Sequence, residues 1–143
     1  MLESPSQCLR NGSAILDPIL CNYGFKFSWG GSGPSSGGPF AFGAFVNGDR
    51  KLELHYRHSL GLVKYHFGDL SLDHDSYMKV VLGPDGGNHY PGFSAEAKLQ
   101  FEDLKFDLEH FAVAFLLGNL DEFSRLAKRA EEWKSQRGFS RLP

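Results

Sequence analysis

The chain has 143 residues, with 15 Lys and Arg against 17 Asp and Glu and a formal net charge of -2. That length suits one domain hiding roughly two-thirds of its unfolded surface, so neither a disulfide nor a metal is needed to hold it together. The charge balance disfavours a dedicated nucleic-acid binder, two cysteines are too few for a disulfide framework, and the longest nearly apolar stretch, 111–117, falls far short of the roughly 20 residues that span a bilayer.

The N-terminal MLESPSQC lacks a basic region followed by an apolar one, so no signal peptide and a cytoplasmic location are expected. The 17 glycines exceed the usual share of about 7%. The 13 phenylalanines, spread through the predicted elements, read as core material.

Residues 1–12 are polar and read as a loose lead-in. Over 13–21, Ile15, Leu16, Ile19 and Leu20 share one face of a short helix, with Asp17 as cap, Pro18 as first residue and Gly24 as stop. GFKFSW at 24–29 alternates as a half-buried strand. GGSGPSSGGP at 30–39 cannot build a core of its own and reads as a flexible loop within a single domain. It also lacks the lysine ending and following helix of a phosphate loop.

Strands are predicted over 40–46, 51–58 and 62–67. Asn47-Gly48 is a hairpin signal, and a turn is expected near Leu60. The period then changes from two to 3.6. Asp73 caps a short helix, and residues 83–94 form a loop. A long helix over 94–117 carries Phe101, Leu104, Leu108, Phe111 and Phe115, widened by Phe106, Val113 and Leu117. Asn119 with Glu122 opens a last helix. The expected fold is α+β: a four-stranded antiparallel meander with the long helix on one face and two or three shorter helices.

The candidate chemistry lies on the polar side of the sheet. Glu53, His55 and Arg57 alternate on one face of a strand, and Lys64 and His66 share a face of the next. Two imidazoles beside a carboxylate and a cation can carry protons near neutrality, which makes His55 and His66 the catalytic candidates. Alternation alone also requires polar residues on the solvated face of an antiparallel sheet. The five are therefore read as a binding surface first.

Cys21 reads as a buried small hydrophobe. His66, Asp69, Asp73, His74 and Asp75 are the densest mixture of metal-ligand types, but Asp73 is better used as a cap and Asp69 as a turn residue. No His-Glu-x-x-His, Gly-x-Ser-x-Gly, dinucleotide fingerprint or EF-hand loop occurs. No metal and no cofactor are expected. Tyr56 and Tyr65 alternate away from Arg57 and Lys64, which disfavours stacking recognition of RNA.

The stretch FAFGAFVNGDRKLELHYRHSLGLVKYHFGDLSLDHDSYMKVVLG, then YPGFS and the DLEHF helix, resembles small uncharacterised bacterial α+β proteins. In layout it is similar to the immunity proteins of polymorphic toxin systems. The resemblance spans most of 13–117 and brings no catalytic residue with it. The absence of a catalytic signature, the mild acidity and the compact size point to a non-enzymatic protein-binding domain, and the resemblance implies an immunity-type inhibitor of a partner toxin. The alternatives are a small hydrolase-like enzyme using the sheet histidines and a structural homo-oligomer.

Overall fold

The computed structural model describes residues 4–34, 38–83, 87–92 and 94–140, with side chains as far as Trp133. Helix α1 (Pro5–Leu20) begins where the Ser4 side chain accepts from the Gln7 N–H, with proline at the first helical position, where no N–H is missed. Its buried stripe is Cys8, Leu9, Gly12, Leu16 and Leu20. The expected lead-in is thus mostly helix. Pro18 does not start the helix but sits inside its last turn. Cys8, not Cys21, is the buried cysteine. A single 3-10 turn (Cys21–Tyr23) ends at Gly24, whose φ of 86° suits glycine and turns the chain into the sheet.

Five strands follow among the described residues: β1 (Lys26–Gly33), β2 (Phe40–Asn47), β3 (Arg50–Tyr56), β4 (Leu60–Phe67) and β5 (Leu70–Asp73). They pair antiparallel in chain order, a meander with one strand more than expected. The added strand is made by Gly68-Asp69, a two-residue loop with Gly68 at φ 59° that pairs Phe67 with Leu70. The β2–β3 hairpin uses the same dipeptide, Gly48-Asp49, with Gly48 at φ 60°. The Gly-rich segment also departs from expectation. Gly30 to Gly33 belong to β1, while 35–37 lie outside the described residues.

The register places the core in rows across the sheet. Phe27, Phe45, Leu52, Tyr65 and Leu72 are successive partners on one side. The helices cover this side. Helix α1 lies against β1, β2 and β3, while α3 (Ala97–Phe111) lies against α1 and β4. Asp73 caps α2 (His74–Leu82) by accepting from the Ser76 N–H at 2.7 Å. The long helix expected over 94–117 is broken at Ala112 into α3 and a single turn, α4 (Val113–Leu116). Phe101, Leu104, Leu108 and Phe115 are fully buried, but Phe106, Val113 and Leu117 face outward rather than widening the core. Asn119 accepts from the Glu122 N–H at the start of α5 (Leu120–Ser140), as its spacing predicted.

Candidate binding face

The opposite side of the sheet has the reverse pattern. In β2, β3 and β4 every second residue is buried, and the residues between them are half-exposed. Three rows of partners define this open face. The first runs from Gly31 through Phe42 and His55 to Leu62. The second contains Ser28, Ala44, Glu53, Lys64 and Asp73, and the third Lys26, Val46, Lys51, His66 and Ser71.

Glu53 is the hub. One carboxylate oxygen accepts from Nε2 of His55 and the other from Nε2 of His66, both at 2.7 Å. His55 lies two residues along the same strand. His66 lies diagonally across on β4, a distance that long side chains reach. Burial by itself would push the Glu53 carboxyl up, but the hydrogen bonds and charges of the two imidazoles outweigh it, and the group is held below its ordinary value of 4.5. Lys64 stands directly opposite Glu53 in the register yet forms no ion pair with it among the described residues.

The aromatic part of the face grows out of β2. The Phe40 and Phe42 rings stack at 6.2 Å and 15°, and Phe42 stacks on the His55 imidazole at 5.2 Å and 21°. Phe42 lies over the backbone of β1. A Cβ placed on Gly30 would collide with its ring, and one on Gly31 would come within 3.2 Å of it. Those two glycines leave room for Phe42, so part of the glycine run has a packing reason within a strand.

Four of the five residues expected on this surface are brought together: Glu53, His55, Lys64 and His66. Arg57 is not aligned with them. The register shifts between His55 and Tyr56, β3 ends there, and Arg57 is exposed in the turn, with its N–H donating to Ser59 O. The β3–β4 turn also lies earlier than expected. Leu60 is already in β4 as the partner of Tyr56, and His55 faces Leu62 rather than Lys64 or His66. Lys51 and Phe42 belong to the site and were missed. Strict alternation from Glu53 back to Lys51 would have found the first.

His74, in the ligand-rich segment, is a core residue. Its Nε2 lies 2.9 Å from Asp107 Oδ2 and its Nδ1 2.6 Å from the Tyr65 hydroxyl, and all three side chains are buried. Asp107 also accepts the backbone N–H groups of His89 and Tyr90. A neutral imidazole with its proton on Nε2 satisfies every member of this chain. Asp73 caps α2 and Asp75 pairs with Lys79 at 3.0 Å. Among the described residues no cluster of three or more His, Cys, Asp or Glu is arranged to hold a metal ion.

No family model matches this chain, and neither a curated protein nor a solved structure matches it. Among the described residues no helix is long and apolar enough to cross a membrane.

Proposed function

We propose that this chain is a non-enzymatic binding domain that docks another protein on the open face of its sheet, acting as an immunity-type inhibitor of a partner toxin. The observation that carries this reading is the face itself. It is ordered by the Glu53 bridge, presents stacked aromatic rings beside charges, and is covered by no element among the described residues. An aromatic anchor with a polar surround is the usual anatomy of a protein interface.

The test uses the products of the genes on either side of this one, since an inhibitor of this kind is made beside its target. Each product is titrated calorimetrically against the wild type and against F42A/H55A. Binding to one product, weakened about tenfold or more in the variant, supports the reading. No binding to either product, or equal binding by the variant, contradicts it.

A second reading is a small enzyme. A cleft of about 290 Å³ beside His55, lined also by Phe40, Tyr56, Arg57, His58 and Leu62, favours it. The Glu53 carboxylate orients both imidazoles, as a carboxylate orients a general base. Here H55A or H66A alone would abolish turnover and leave the fold intact. A third reading, the structural homo-oligomer, is separated by light scattering on the eluting protein.

A further inference from the structure

The open face carries three lysines. Lys26 and Lys51 flank Val46 from the neighbouring strands, and Lys64 stands beside Glu53. Its two carboxylates, Glu53 and Asp73, both already accept hydrogen bonds. Glu53 is held by two imidazoles, and Asp73 is the cap of α2. Among the described residues none of the three ammonium groups has a carboxylate at ion-pair distance. The chain as a whole is acidic, at -2. Three lysines against two carboxylates leave this face positive by one charge on a chain that is negative overall, and no helix among the described residues covers it.

From this distribution we infer that the partner docked on the open face is a protein with an acidic surface, bound by Lys26, Lys51 and Lys64 to one side of the Phe42–His55 stack. The inference rests on the binding reading above and names the chemistry of its partner. Complementary charge steers encounter and excludes wrong partners, while the stacked rings supply apolar area beside the charged rows. A second copy of this chain fits poorly, because two faces that are each positive overall repel one another. The rings that would stack on nucleobases are Phe40, paired with Gly33, and Phe42, paired with Gly31 and His55, and neither has a lysine as a strand partner. The three ammonium groups lie in the second and third rows, beside Glu53 and Val46, where a partner's carboxylates would meet them.

The probe is a poly-glutamate peptide added to the full chain, followed by backbone amide resonances at low salt and at about 1 M salt, where the screening length falls to about 3 Å. The inference expects shifts at Phe42, Lys51 and Lys64, lost at high salt and reduced at least tenfold in affinity in K51E/K64E. Should the charge reversal disturb the sheet, K51Q/K64Q gives the same reading with a smaller loss. Four results with these probes overturn it. These are no shift on this face, shifts indifferent to salt or to both variants, tighter binding of a poly-uridine oligonucleotide at the same residues, and self-association through them. If a neighbouring-gene product binds F42A/H55A weakly but K51E/K64E normally, the acidic-partner inference falls and the binding reading stands. If neither product binds, the binding reading falls on its own test.

Discussion

The Tyr65 hydroxyl stands 2.6 Å from Nδ1 of His74 in the interior of the protein, joining the central strand row to the first turn of α2. Asp107 continues the connection from the far side of the ring and fixes the backbone at His89 and Tyr90. Three segments distant in sequence are thus tied through one imidazole. Removing the carboxylate leaves two backbone donors and a ring nitrogen unsatisfied in a buried place. D107A is expected to cost about 3 to 5 kcal/mol, and Y65F about 1 kcal/mol, since it removes only a hydroxyl. Urea unfolding of both variants checks the order. Equal losses would contradict it.

Burial raises Tyr77 and Tyr90 from their ordinary value of 10 to about 12, and it holds Tyr65 well above 10. The unfolded chain loses these protons first. Their contribution is therefore complete below pH 10 and is lost as pH rises toward 12 and above. Stability should fall steeply across that range, with tyrosinate absorbance from these residues appearing together with loss of helical circular dichroism. Full tyrosine ionisation in a still-folded chain would contradict this.

Glu53 has the opposite sign. Its folded value is depressed, so its contribution is present above pH 4.5 and disappears as pH falls through the folded value. E53Q should be less stable than the wild type above pH 4.5, and the difference should narrow on further acidification. Denaturant midpoints measured along that series test it. A constant difference would show that the bridge to His55 and His66 sets no acid dependence.

Gly12 lies in the buried face of α1 where that helix meets α3, and an added methyl group would run into the Phe101 ring. G12A is expected to cost about 1 to 3 kcal/mol despite the better helix propensity of alanine. Pairing it with F101L should recover part of that loss, a coupling that a double-mutant cycle in urea detects. Additive effects would mean that the two helices do not meet at this point.

The sheet was largely legible in the sequence because a half-buried antiparallel strand advertises itself by alternation. Leu52, Leu54 and Tyr56 face the core as their spacing predicts. The fifth strand was hidden by its length, four residues with a cap at its end. Its turn signal, Gly68-Asp69, matched the Gly48-Asp49 turn of the β2–β3 hairpin. Helix α1 was hidden by Pro18, which drew the start of the helix to Asp17, whereas Ser4-Pro5 is the stronger start signal. The Glu53 bridge could not be read from periodicity. It depends on the β3–β4 register, and a bulge between His55 and Tyr56 sets the turn apart from the strand pairing. Phe42 was assigned to a face without its neighbours, because its contact with His55 crosses from one strand to the next.

The open face as the docking surface is tested most directly by the histidine side chains themselves. Imidazole proton resonances are followed as the neighbouring-gene product that binds is added. The account predicts that His55 and His66 shift on complex formation, while His74, sealed between Tyr65 and Asp107, does not. Shifts confined to His58, His89 or His110, with His55 and His66 unmoved, would place the interface elsewhere and contradict it.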